Sequence, residues 1–162
     1  MKVILHDLDV QSHERLLTKC DEALFADGKY APCQGCFGCW TKHPAECFIK
    51  DKLQKASRVL GRADELIIIT KNLYGAYSVP IKNVMDRTIG ASTPLSTFRG
   101  WEMHHVLRYK KHELMKVLVY GDITDKEKET FAYMVKRNAL NDGYKETEVL
   151  FFASAEEAEA AL

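Results

Sequence analysis

The chain has 162 residues, 46% of them hydrophobic, and its 23 Lys and Arg balance 23 Asp and Glu. That size suits one domain with a real core. Zero net charge gives no basic footprint for nucleic acid, and no apolar run reaches the ~20 residues of a membrane-spanning helix. The first residues, Met1 to Asp7, lack a long apolar stretch and soon turn acidic, so no secretory signal is expected and the chain reads as cytoplasmic.

Val3-Ile4-Leu5 reads as a short buried strand, Ser12 to Leu17 as a short helix, and Ala23 to Ala26 as a second strand closed by Asp27-Gly28. Cys20 reads as a small buried hydrophobe. Asp51 is placed to cap a helix in which Leu53, Ala56, Leu60 and Ala63 recur at helical spacing. Leu66 to Ile69 is a continuous apolar run, as expected of a central parallel strand buried on both faces. After a loop over Asn72 to Tyr77, Ser78 caps a helix with Pro80 in its first turn that runs to about Thr88. Gly90 to Gly100 reads as irregular. Lys116 to Tyr120 is a further buried strand. Thr124 and Glu127 form a capping box for a helix with Phe131, Met134 and Val135 inward, stopped at Asn141-Asp142-Gly143. Glu148 to Phe152 is the last strand, and Ser154 to Leu162 reads as a short exposed helix. Strands alternating with helices imply an α/β domain with a mostly parallel sheet. Ligands would sit at the carboxyl ends of its strands, where the cysteine, 72–77 and 121–124 loops are expected to gather.

Cys33, Cys36, Cys39 and Cys47 form the pattern C-x2-C-x2-C-x7-C. Four thiols so close on a Gly- and Pro-containing loop admit several readings. They can hold a [4Fe–4S] cluster, stand beside a redox cofactor without metal, or merely accompany packing by Phe37 and Trp40; a zinc site is a weaker fit to this spacing.

The run Pro32-Cys33-x-Gly35-Cys36-Phe37-Gly38-Cys39-Trp40-x-Lys42-x-Pro44-x-x-Cys47-x-Ile49-Lys50-Asp51 resembles the flavodoxin-like NAD(P)H-dependent FMN reductases and iron–sulfur flavoproteins. The later run Thr70-x-x-x-Tyr74-Gly75-x-x-Ser78-x-x-x-Lys82-x-x-x-Asp86-Arg87 resembles that family's second flavin loop and the helix after it. The likeness covers roughly residues 30 to 152. It implies a flavodoxin-like three-layer sandwich with a five-stranded parallel sheet in order 2-1-3-4-5, one domain over residues 1–153, and a tail over 154–162. It further implies FMN, NAD(P)H as reductant, a small-molecule or protein electron acceptor, and a homodimer. Thr70, Asn72, Leu73, Tyr74, Gly75, Tyr77 and Ser78 would contact the flavin, with Gly75 letting backbone approach the ring and Tyr77 stacking on it.

The chain departs from that family at the segment meant for the FMN phosphate. His6-Asp7-Leu8-Asp9-Val10-Gln11-Ser12 has no Gly and carries two carboxylates. A carboxylate ~5 Å from a phosphate costs on the order of 1–3 kcal/mol at intermediate dielectric. Ser12, His13 and Arg15 are the groups that could compensate. Two functions follow as expectations: a flavin-dependent oxidoreductase, or a flavodoxin-like protein without FMN acting as a binding or partner subunit. Asp86 and Arg87 read as a salt-bridged helix end or a dimer contact. His104, His105, Arg108 and Tyr109 could form a lid or bind an anion such as the NADPH 2′-phosphate, although neighbouring His side chains diverge and make a poor pair of metal ligands. A structural or subunit-contact role is the plainer reading of that segment.

Overall fold

The computed structural model describes residues 1–110 and 112–162. Its main sheet contains β1 (Lys2–His6), β2 (Glu22–Phe25), β3 (Glu65–Lys71), β6 (His112–Tyr120) and β7 (Tyr144–Phe152), all parallel, in spatial order β2-β1-β3-β6-β7. Counting only these strands, the order is 2-1-3-4-5, as expected. Between β3 and β6 lies a separate antiparallel hairpin, β4 (Ser92–Arg99) and β5 (Glu102–Leu107). It replaces the irregular segment expected there. Pro94 and the exposure of most of β4 erase the alternation that would have marked a strand.

Alternate residues of the central strands feed two apolar clusters. Val3, Leu5, Leu66, Ile68, Val117 and Val119 pack with Leu60 of α2 (Ala56–Leu60), Ile81 and Val84 of α3 (Val79–Asp86), and Phe131 and Val135 of α4 (Asp125–Asp142). Ile4, Ile67, Ile69 and Leu118 pack with Leu16 of α1 (Val10–Leu16) and Ala158 of α5 (Ala155–Ala160). The continuous apolar run at 66–69 is thus explained by burial on both faces. Burying each such side chain stabilises the fold by about 1.5–3 kcal/mol. The C-terminal helix is correspondingly not a free tail, for Ala158 is completely buried.

Helix ends follow local chemistry. Thr124 and Glu127 form both halves of the capping box, and Ser78 accepts from the Ile81 N–H with Pro80 in the first turn. Gly143 ends α4 at φ 84°, a left-handed value that glycine tolerates. Asp51 is not a helix cap, because α2 starts only at Ala56. Its carboxylate instead accepts from the Leu53 and Ala31 N–H groups and from Arg87, whose side chain is fully buried. Asp86 pairs with Lys82 one turn earlier. The end of α3 is therefore salt-bridged, as the plainer sequence reading held.

Candidate functional site

β1, β3 and β6 end side by side, and the loops leaving β3 and β6 meet there: the Asn72 N–H donates to the Tyr120 carbonyl at 2.9 Å and the Asn72 amide to the Asp122 carbonyl at 2.8 Å. A shallow depression of about 440 Å³ lies on this rim, flanked by Asp7, Asp27, Lys71, Ser78 and Tyr120. It is the crevice in which open parallel sheets bind ligands. The cysteine loop does not join it. Trp40 donates from Nε1 to the Ile89 carbonyl at 2.7 Å, and Arg87 reaches the Ile49 carbonyl, so the loop is tied to the far end of α3. Cys33 and Cys36 are exposed while Cys39 and Cys47 are half-buried. Among the described residues no group of three or more Cys, His, Asp and Glu is gathered to hold a metal ion, so this arrangement gives the cluster reading no support. Burial pushes the Cys39 thiol up.

The rim is organised around a carboxylate. Asp7 accepts from the Lys71 N–H at 3.0 Å, the Tyr120 hydroxyl at 3.2 Å and the Thr70 hydroxyl at 3.4 Å. Burial, reinforced by the neighbouring Asp7 charge, pushes the Tyr120 phenol well up, so it stays a donor. Asp9 caps α1 by accepting from the Ser12 N–H at 2.7 Å, and this bond holds its carboxyl below the usual carboxylate range. The three side chains that could have received a phosphate are committed elsewhere. Ser12 donates to Glu159 at 2.7 Å, Arg15 donates from Nε to Glu159 at 2.6 Å, and His13 shares a 2.9 Å hydrogen bond with His6. Arg15 holds the Glu159 carboxyl down at about 2, so α5 contributes a permanent negative charge beside α1. A phosphate dianion needs a cradle of free N–H and hydroxyl donors. Residues 7–15 offer carboxylates and side-chain donors that are already occupied instead. The FMN phosphate does not fit there.

The second loop is largely closed on itself. The N–H groups of Leu73 and Ala76 bond each other's carbonyls, Gly75 donates to the Asn72 side chain at 3.0 Å, and Ser78 donates to the Thr70 hydroxyl at 3.0 Å. These N–H groups are not available to a ring edge. The close approach that Gly75 permits is to another part of the chain, since a Cβ there would lie 3.2 Å from the Glu127 carbonyl oxygen at the start of α4. Tyr77 turns inward, 3% exposed, edge-on to Phe131, with Asn138 on its hydroxyl, so it presents no face to the rim. Thr70 is also fully buried. Tyr74 and Leu73 do stand out, at 88% and 40% exposure, with Tyr74 held at φ 53°. They are the members of the expected set that could lie against a flat ligand.

A second cavity, about 450 Å³, was not foreseen. It lies beneath the hairpin between α3 and α4, and its walls include the first residues of β6 and β7. It is therefore at the opposite edge of the sheet from the rim. His105, His112 and Tyr144 all line it, and each has a buried polar atom without a partner among the described residues. Each such atom costs on the order of 1–3 kcal/mol. Burial raises the Asp142 carboxyl to about 6 at the same place. No motif signals this cavity, because its residues come from many separate elements, among them β5, β6, α4 and β7. The His104–Tyr109 segment is mostly structural: His105 packs against Trp40 with ring centroids 4.6 Å apart, Arg108 donates to the Gly90 carbonyl at 3.1 Å, and the Tyr109 ring covers Gly61.

No protein-family model matches the sequence, and no curated protein does. Solved structures do resemble it. An FMN-dependent NADH-azoreductase from Bacillus anthracis, in complex with FMN, aligns with a TM-score of 0.59 at 12% identity, covering 99% of this chain and 97% of that one. An NADH:FMN oxidoreductase in its apo form aligns with a TM-score of 0.52 at 12% identity, covering 98% of this chain and 84% of that one. The chain also spans 32% of the Flv1 flavodiiron core from Synechocystis, with a TM-score of 0.48 at 12% identity. Together with the strand order, the two fuller alignments establish a flavodoxin-like fold.

Proposed function

We propose that the chain is a flavodoxin-like binding or partner subunit that carries no FMN on its first loop. One observation supports this most directly: the carboxylates of Asp7 and Asp9 stand where a phosphate cradle is needed, and Ser12 and Arg15 are already bound to Glu159. Replacing that arrangement by a dianion would set like charges against one another and break those bonds.

A second reading is favoured by the fold shared with an FMN-dependent NADH-azoreductase. In it the protein is a flavin-dependent oxidoreductase in which NAD(P)H reduces FMN and electrons pass to a small-molecule or protein acceptor. The exposed Leu73 and Tyr74 would then lie against the ring, and the phosphate would be held outside residues 7–15. Either reading admits a homodimer. The exposed Leu95, Phe98, Trp101 and Met103 give the hairpin an apolar surface for it.

Anaerobic purification followed by titration with FMN separates the two. A colourless protein that leaves flavin fluorescence unquenched supports the partner reading. Flavin absorption bands in the purified protein, with NAD(P)H bleaching them, would establish the oxidoreductase instead.

A further inference from the structure

We propose that the cavity beneath the hairpin is a binding slot for an uncharged aromatic molecule, taken up between α3 and α4 with Met85 and Met134 in its walls. The slot lies at the edge of the sheet opposite the flavin rim, so the proposal stands whichever reading of that rim holds.

Three observations converge there. First, two helices turn one side each toward the same space. On α3, Lys82, Met85 and Asp86 follow at i, i+3 and i+4; on α4, Met134, Asn138 and Asp142 follow at i, i+4 and i+8. Each set is a single helix face. Leu66 of β3, Leu107 of β5 and Trp40 add apolar wall. Trp40 commits its Nε1 proton to the Ile89 carbonyl at 2.7 Å, which leaves only the apolar ring for a ligand. Two methionines give the slot side chains that adapt to the shape of what enters.

Second, the space is large and holds water poorly. Its volume of about 450 Å³ lies in the range of small-molecule sites and well above the gaps usual between packed elements. A held water needs several polar partners, and wall groups that could serve are already engaged. The Thr88 hydroxyl donates to the Met85 carbonyl at 2.6 Å, the Ser92 hydroxyl to the Ile89 carbonyl at 2.9 Å, and the Asn138 amide to the Tyr77 hydroxyl at 3.4 Å. The unpartnered atoms of His105, His112 and Tyr144 have almost no accessible surface, so they do not select the ligand.

Third, the walls favour neither sign of charge. Lys82 is paired with Asp86. Asp142 has the Arg99 charge nearby, while the Arg99 guanidinium itself donates to the carbonyls of Leu140, Asn141 and His105. Burial raises the Asp142 carboxyl to about 6, so this place penalises charge instead of inviting it. An anion would meet the Asp86 and Asp142 carboxylates, a cation would meet Lys82 and Arg99, and either would give up its hydration. An uncharged ring avoids that loss and gains the apolar contact.

Titration of the full chain, isotope-labelled at its methionine methyl groups, with 2-naphthalenemethanol tests the proposal by NMR. The analogues 2-naphthoate and 2-naphthylmethylamine supply an anion and a cation on the same skeleton. The alcohol should shift the Met85 and Met134 methyl signals along one saturable curve and leave Met103 in place. Met103, 69% exposed on the hairpin, is the control for simple adhesion to that apolar surface. Both charged analogues should bind more weakly by about tenfold or more. Ala91→Phe, which fills the slot from its wall, should weaken the alcohol by about tenfold or more as well. Shifts confined to Met103, no saturation at Met85 and Met134, a charged analogue that binds as tightly as the alcohol, or full affinity in folded Ala91→Phe overturns the proposal. If that variant does not fold, the three titrations of the unaltered chain decide the matter.

Discussion

Replacing Arg87 by Met should be the most damaging single change away from the central strands. The Arg87 side chain has no exposed surface and donates to Asp51 at 2.6 Å, to the Ala31 carbonyl at 3.0 Å and to the Ile49 carbonyl at 3.4 Å. It therefore pins both ends of the cysteine loop to α3. Met fills a comparable apolar stem but leaves Asp51, only 19% exposed, without its counter-charge. Removing one partner of a buried pair costs about 3–5 kcal/mol, a large share of the ~5–15 kcal/mol that holds a domain together. For a chain of this size that amounts to a fall in Tm of roughly 8–15 °C. Urea unfolding followed by circular dichroism measures it. Burial alone would raise the Asp51 carboxyl, but Arg87 and two backbone N–H groups hold it below its ordinary value. The pair's contribution is therefore complete above the unfolded carboxyl's 3.8 and fades as pH falls below it. The variant's deficit should shrink in acid accordingly. A loss under about 1 kcal/mol at neutral pH, or a deficit that does not change in acid, would refute this account of the loop anchor.

Gly143→Ala should destabilise the protein by about 2 kcal/mol, because φ 84° is strained for alanine and its Cβ would lie 2.2 Å from a Leu107 methyl carbon. Thermal melts check this, and an unchanged Tm would show that the helix end and Leu107 yield freely. His6 is completely buried, stacked on Phe25, and its pKa is lowered by burial and by His13 to about 4. A base whose folded pKa lies below its unfolded 6.5 contributes stability above that value and loses it as pH falls towards 4. The protein should lose on the order of 3 kcal/mol across that window. His6→Phe should flatten the slope, and an identical slope in the variant would assign the acid sensitivity elsewhere.

Much of the fold was legible in the chain. The apolar run at 66–69, the capping box at Thr124 and Glu127, and the Ser78–Pro80 helix start are local signals that tertiary contacts did not override. The hairpin was missed because its strands pack little and lack alternation. The helix expected from Asp51 starts later, because Arg87 and two backbone groups claim that carboxylate first. At the rim, the acidity of residues 7 and 9 was visible in the sequence. Their partners were not: Lys71, Tyr120 and, through α1, Glu159 lie far along the chain.

The order of residues by itself determined an alternating α/β chain whose first loop is acidic and without glycine, since periodicity, caps and charge act over a few residues. Only the folded structure decided that Tyr77 faces the core, that Glu159 occupies Arg15, and that His112, Asp142 and Tyr144 line the same cavity. Those outcomes depend on which strands become neighbours and on how α5 and the hairpin pack against them. Such contacts join residues far apart in sequence, and no local pattern encodes them.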